Sequence, residues 1–475
     1  MTRQTLGLFL CAVLLGCGTA VAASSFDEQF TGATMRLDFF HTGTAEMEEV
    51  SLERIRVEGA WPGSRTQLLD RTNLGKYQFE IVDLASQQAL YSRGFASIYG
   101  EWETTAEASK GVVRTFPEAL RFPEPRRPFQ VRLRKRGADQ AFVEIWTYTV
   151  EPGSRFVHRA SIPPQEVLGV LENGEPADKV DLLLLGDGYT AAEMEKFRTD
   201  TQRAAEALFA LEPFASRKGD FNVWGIAPPA AESGISRPRS GLFRNTPLGA
   251  SYNALDSERY VLTLQDRAWR DVAAAAPYDA VMILVNGEKY GGGGIFNLYS
   301  TAAAGSDFFP YLLVHEFGHH FAGLGDEYYT SDVAYEDFQG QMTEPWEPNI
   351  TALQSPEDFK WVDLVEPGTP VPTPWKKDEF EELSHSIQDR RRELRLAGAP
   401  EADLEKLFRE EREQMTALLA SEPFAGKVGA FEGASYQPKG LYRPQADCIM
   451  FTRDEVGFCA VCERAIHRII DLYTR

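Results

Sequence analysis

The chain has 475 residues, 43% hydrophobic and 25% charged, a balance able to bury a large core, which excludes a disordered chain or a fibrous repeat. Its 49 basic and 70 acidic residues leave a net charge of −21, which sets it against nucleic acid and anionic lipid surfaces as partners. At roughly 100–200 residues per domain the length predicts about two or three domains, and beyond the N-terminus no apolar run reaches the ~20 residues of a membrane span.

Residues 1–22 read as a signal peptide: Arg3 supplies the positive end, Leu6 to Leu15 the apolar stretch, and Ala20-Val21-Ala22 the small-residue cleavage site. Leu14-Leu15-Gly16-Cys17 resembles a lipobox, which would instead put a lipid anchor on Cys17. Either address predicts a secreted, periplasmic or cell-surface protein.

Over residues 24–160 the apolar period is close to two. Met35, Leu37 and Phe39 alternate with Arg36 and Asp38, Tyr77, Phe79 and Ile81 with Gln78 and Glu80, and Val131 and Leu133 with Arg132 and Arg134. Val143, Ile145 and Tyr148 lie in another such run, and Gly63, Gly75, Gly100 and Pro128 punctuate the series. Short strands of this kind predict an antiparallel β-sandwich. His41 and His158 stand alone, so the module is expected to dock against, or present, the next domain.

The pattern changes after Pro163-Pro164, and residues 165–475 read as a second domain. Val180 and Leu182 to Leu185 suit a strand buried on both faces. It leads through Asp187-Gly188 to Thr190 and Glu193, which have capping-box spacing ahead of a helix through Met194 and Phe197. Asp187 is more simply a turn-capping carboxylate than a metal ligand. Phe221 to Ile226 and Ala280 to Val285 are further strands, with helical sequence around Tyr260 to Ala275 between them. This alternation predicts a partly parallel, helix-covered sheet, and so an α+β chain overall. Leu383, Ile387, Leu394, Leu404, Leu407, Phe408, Met415 and Leu418 mark two amphipathic helices, an insertion over about 376–422 that is divided at Gly398-Ala399-Pro400.

The chemistry lies in His315-Glu316-Phe317-Gly318-His319-His320. On a helix His315 and His319 lie about 40° apart on one face, so two imidazoles reach one zinc ion. Glu316 stands beside them, placed to contact a zinc-bound water, while His320 is rotated away. Catalytic zinc needs a third protein ligand and an open position. Gly323 and Gly325 let the helix stop and the chain fold back, which makes Asp326 the candidate, with Glu327 its neighbouring alternative. On a continuing helix Asp326 would lie about 16 Å from His315.

The run from His315 through Gly325-Asp326-Glu327-Tyr328 resembles the signature of the IgA peptidase family of zinc metallopeptidases, which are metzincin-like. Val180 to Tyr189, the glycines Gly291 to Gly294 before Ile295-Phe296-Asn297, Phe431-Glu432-Gly433-Ala434, Tyr442-Arg443-Pro444, and Cys448-Ile449-Met450 with Cys459 and Cys462 also fit. The resemblance covers roughly residues 165–475, and the β-rich front half matches the N-terminal domain such proteins often carry. It implies a metzincin-like domain of mixed sheet and helices, with His315 and His319 as zinc ligands and Glu316 as general base. It further implies Met450 as the methionine beneath the metal, and the segment around Ile295 as an edge strand that pairs with substrate. Relative to the wider metzincin spacing, Gly323 and Asp326 each fall one residue late, with Ala322 and Gly325 at the usual positions. Tyr442, or else Tyr436 or Arg443, is a candidate donor to the oxyanion.

Removal of the signal leaves Cys448, Cys459 and Cys462. In an oxidising compartment a disulfide from Cys448 to one of the others is expected, the sharper alternative being a structural metal held by all three with His467. The expected function is a secreted zinc metalloendopeptidase acting on an extracellular protein or glycoprotein. The competing expectation is a surface glycan- or protein-binding protein with a structural zinc. A gluzincin arrangement with Glu336, Glu344 or Glu347 as a distant ligand stands behind it.

Overall fold

The computed structural model of the protein describes residues 25–330, 343–454 and 456–474. The signal segment with Cys17, and Glu336, lie outside the described residues. Among the described residues no helix is long and apolar enough to cross a membrane. The architecture is mixed α+β.

The front half is two packed sheets. Its strands are β1 (Phe30–Gly43), β2 (Glu48–Ala60), β3 (Tyr77–Asp83), β4 (Ala89–Phe95), β5 (Arg114–Pro125), β6 (Phe129–Arg136), β7 (Phe142–Val150) and β8 (Val157–His158). One sheet has the order β5-β1-β2-β8 and the other β4-β3-β6-β7, with every pairing antiparallel except β2 with β8. Alternate residues of each strand fill the space between the sheets: Met35, Leu37 and Phe39 from β1 meet Phe79, Ile81 and Leu133 in one core.

The opposite face of β1 departs from a simple apolar-in, polar-out strand. Arg36 and Asp38 are as buried as their apolar neighbours. They face the second half of the chain, where Asp271 accepts from Arg36 at 2.6 Å and from Arg56 at 3.1 Å, while Arg54 bonds Asp38 at 2.6 Å. The polar half of the alternation is thus a charged interface between the two halves. Burying these ions is tolerable because each finds a partner of opposite sign.

The second half is built on a six-stranded sheet of β9 (Leu168–Leu171), β10 (Val180–Asp187), β11 (Phe221–Ile226), β12 (Ala280–Val285), β13 (Gly292–Ile295) and β14 (Tyr299–Ala303). The order is β13-β14-β12-β10-β11-β9: four parallel strands flanked at each edge by an antiparallel one. Every residue of β10 is buried, which explains an apolar run broken only by Asp181, whose carboxylate accepts from Asn222 and Trp224. Asp187, at its end, binds Thr246 Oγ1 at 2.7 Å and the N–H groups of Leu248 and Ala250, so it anchors a loop. Thr190 and Glu193 form the capping box, followed by helix α1 (Met194–Leu208).

Beyond three helices of four or five residues in the front half, the further helices are α2 (Asp266–Ala273), α3 (Phe309–Ala322), α4 (Lys377–Leu396), α5 (Glu401–Ala420) and α6 (Ala460–Thr474), with a hairpin of β15 (Phe431–Ala434) and β16 (Gln437–Arg443) before α6. Helix α3 lies along β13 and β14 and packs on α1 and α6. The apolar core of this half also takes in Ala96, Ile98, Tyr99, Trp102 and Phe116 from the front half.

Candidate metal centre and catalytic cleft

Helix α3 carries the His-Glu-x-x-His residues and ends where glycine permits. Gly323 has φ +62°, its N–H returns to His319 O, and the N–H of Leu324 returns to Gly318 O. A side chain there would combine the strain of a left-handed residue with a Cβ 2.8 Å from Trp346. The chain then doubles back through Gly325, held by Asn349, whose side chain bonds the N–H and C=O of Gly325 at 2.7 and 2.9 Å. Nothing in the sequence singled out Asn349, because its role is set by a tertiary turn.

This reversal brings His315, His319 and Asp326 together. Asp326 Oδ1 is 3.2 Å from Nε2 of each histidine, and the two Nε2 atoms are 3.1 Å apart. Each ring is oriented from behind: His315 Nδ1 donates to Ile449 O at 2.9 Å and His319 Nδ1 to Leu324 O at 2.6 Å. A carbonyl only accepts, so both Nδ1 atoms carry hydrogens, and in the neutral rings both Nε2 lone pairs converge. Asp326 Oδ1 is buried without a hydrogen-bond donor. Two nitrogen lone pairs and a bare carboxylate oxygen repel one another unless a cation sits among them, so this donor set fits a divalent metal. A proton competes with a metal ion for these lone pairs, and the surroundings favour positive charge at this point in either form. Burial opposes a charged ring at His319, yet Asp326 outweighs it and raises the pKa to about 9. Burial likewise opposes charge on Asp326, but the two histidines hold its carboxyl well below the usual range.

Glu316 lines the same cleft, and burial raises its pKa above that of an ordinary carboxylate. His320 turns away, accepting from Val281 N at 3.0 Å and donating to Ile295 O at 3.1 Å, which ties the helix to the sheet. Met450 is fully buried under α3, its sulfur against Gly318, and Met450 O accepts from Glu327 N.

The oxyanion-donor candidates separate. Tyr442 sits on β16 between buried Leu441 and Arg443, so strand alternation turns it the other way, and it does not line the cleft. Tyr436 does. The β15–β16 turn has two consecutive left-handed residues, Ser435 and Tyr436, and pairs with the Asp326–Tyr328 backbone. The Tyr436 hydroxyl thereby donates to Asp326 Oδ2 and lies 3.4 Å from that of Tyr328. Arg443 points into the core, stacked on Phe451 and Trp375. Neither Glu344, bound to Lys360 and Thr351, nor Glu347 belongs to the histidine cluster.

The cleft measures about 1010 Å³. Its walls come from the front half (Lys76, Gly100, Glu101), the edge strand (Gly292, Gly294) and helices α4 and α5 (Gln388, Arg391, Glu411). Arg259, Arg391 and Arg453 all face it. Arg453 is paired with Glu411 at 2.5 Å, whereas burial and the neighbouring guanidinium groups push Arg391 down to about 10.

The edge strand β13 is only partly open. Gly292 bonds Val261 N and Arg259 O, and beyond the strand Phe296 O accepts from Ala96 N. Gly294 is left between these two occupied stretches.

Among the described residues the cysteines form no disulfide. Cys448, Cys459 and Cys462 are free and buried, with the Cys448 and Cys462 sulfurs 3.9 Å apart. His467 is not with them but bonds Arg217. Glu327 is: it turns away from the histidines, accepts from Asn349 at 2.9 Å, and lies 3.4 Å from the Cys462 sulfur.

Residues 168–470 match the IgA Peptidase M64 family, and residues 25–147 match the Peptidase M64 N-terminus. No curated protein matches the chain. The long match spans the edge strand, helix α3 with its reversal, and the cysteine segment, and with it the chain belongs to the IgA peptidase M64 family and is a peptidase.

Proposed function

We propose that the chain is an exported zinc metalloendopeptidase with a metzincin-like catalytic domain, cleaving proteins or glycoproteins outside the cell. The carrying observation is the convergence of His315, His319 and Asp326 on one point in the cleft, with Glu316 beside it. Zinc held by these three side chains would acidify water and stabilise negative charge on the scissile carbonyl. Glu316 takes the proton from the attacking water and returns it to the leaving amine, and its burial raises its proton affinity above that of an ordinary carboxylate. Tyr436 orients Asp326 by donating its one hydroxyl hydrogen to Oδ2, which leaves the neighbouring Tyr328 hydroxyl as the donor to the oxyanion in the role expected of Tyr442. The N-terminal apolar segment supplies the export signal.

Glu316→Gln is the direct test. Its kcat should fall on the order of 10²–10⁴-fold on an unfolded protein substrate, with zinc content unchanged. A variant that keeps both zinc and full activity would remove Glu316 from the mechanism.

A further inference from the structure

Asp326 and Glu327 are consecutive, and the reversal after α3 sends their side chains to two different clusters. Asp326 goes to the histidines, Glu327 to Cys448, Cys459 and Cys462. The second cluster is wholly buried, with its four donor atoms within 4.8 Å of one another. In a tetrahedral site with metal–sulfur bonds of about 2.3 Å and metal–oxygen bonds of about 2.0 Å, sulfur pairs lie about 3.8 Å apart and sulfur–oxygen pairs about 3.5 Å. The Cys448–Cys462 separation is 3.9 Å and the Cys462–Glu327 separation 3.4 Å, whereas a disulfide requires about 2.0 Å between sulfurs.

Two further observations favour an ion. Glu327 Oε2 is buried without a hydrogen-bond partner. Arg443, fully buried nearby, donates only to the carbonyls of Glu432, Gly433 and Ala446, and among the described residues no carboxylate lies within ion-pair distance of it. A buried guanidinium with carbonyl acceptors but no carboxylate at ion-pair distance is costly, and three thiolates and a carboxylate around a divalent ion leave a net negative charge for it to offset. Cys459 and Cys462 lie at the start of α6, where the helix dipole favours thiolates.

We propose that Glu327, Cys448, Cys459 and Cys462 form a second, structural metal site, closed by four protein ligands and selective for a thiophilic divalent ion, zinc foremost. The site pins the start of α6 and the Ile449–Met450 segment to the turn that delivers Asp326. Ile449 O receives His315 and Met450 O receives the Glu327 N–H, so the ion supports the histidine site from beneath.

The test uses the full chain purified without chelator, then refilled with Co²⁺. The parent should bind two metal ions per chain, and its cobalt form should show the intense near-ultraviolet absorption of cobalt–thiolate bonds. His319→Ala should lose one ion and keep that absorption, whereas Cys459→Ser with Cys462→Ser should lose the absorption. Should the cysteine variant fail to fold, the parent decides alone. One ion per chain without cobalt–thiolate absorption overturns the site, whether denatured protein then titrates one thiol, as for a disulfide, or three. Failure of the histidine site is read separately, as loss of the ion that His319→Ala would have removed.

Discussion

Arg391 is one of three arginines facing the cleft of a protein whose net charge is −21. Beside Arg259 and Arg453 it is held near its neighbours at the expense of its own proton affinity. Of the three, among the described residues, only Arg453 has a carboxylate, Glu411, within ion-pair distance. An acidic group on the substrate would relieve that crowding. Arg391→Gln is therefore expected to lower kcat/KM about tenfold for peptides carrying Asp or Glu near the scissile bond, the worth of one charged hydrogen bond of about 1.4 kcal/mol. Matched Asn or Gln peptides should be nearly unaffected, and equal losses on both sets would point to a packing role. At this scale the sequence was legible where chemistry is local. His315, Glu316 and His319 follow from helical spacing, and Asp326 from the glycines that let the chain turn back. Arg259, Arg391, Asn349 and Tyr328 reach the site only through tertiary packing, so no spacing revealed them. Tyr442 lies away from the cleft because alternation along β16 turns it outward, whereas Tyr436 lines the cleft from the turn before that strand.

The edge strand β13 is the element on which peptide binding turns. Helix α3 passes directly behind Gly294, where a Cβ would sit 2.2 Å from Glu316 O, a backbone atom that cannot give way, while a Cβ on Gly293 would meet the Tyr260 ring. Gly294→Ala should therefore force strand and helix apart, costing about 1–3 kcal/mol of stability. It should also depress kcat/KM more than its effect on the folded fraction accounts for. Urea melts and kinetics on the same preparation check this, and an unchanged melt would mean the strand has slack. The family resemblance implied an edge strand around Ile295, and the structure has one. That its flanks are already bonded to Val261, Arg259 and Ala96 was not readable, since those partners come from distant loops. With Gly294 alone between them, backbone pairing contributes less to substrate binding than a fully open edge would, and side-chain contacts from α4 and α5 contribute correspondingly more.

At the scale of the whole molecule, His41 reports on how the halves join. It is buried on β1 between Glu118 at 2.9 Å and Glu48 at 2.7 Å, stacked 4.0 Å from Tyr99, itself part of the second half's core. Burial opposes a charged ring, but Glu118 and Glu48 prevail and raise its pKa to about 9. In the unfolded chain it is about 6.5. The protonated ring thus contributes stability in full below about pH 6.5, and this contribution is lost as the pH rises through about 9. Urea midpoints should decline across that window in the parent and decline less in His41→Gln. Composition and period two foretold the sandwich, and parallel β-strands of the second half were evident from apolar runs that do not alternate, such as Leu182 to Leu185 and Ala280 to Val285. The buried Arg36 and Asp38 were not, since a charged residue on a strand ordinarily reads as solvent-facing. The shared core around Tyr99 and Trp102 has a practical corollary for anyone wishing to shuffle these parts. The catalytic half is not a portable cassette: cut free at the junction it would display a raw apolar scar, and a foreign front half would succeed only by bringing its own matching plug.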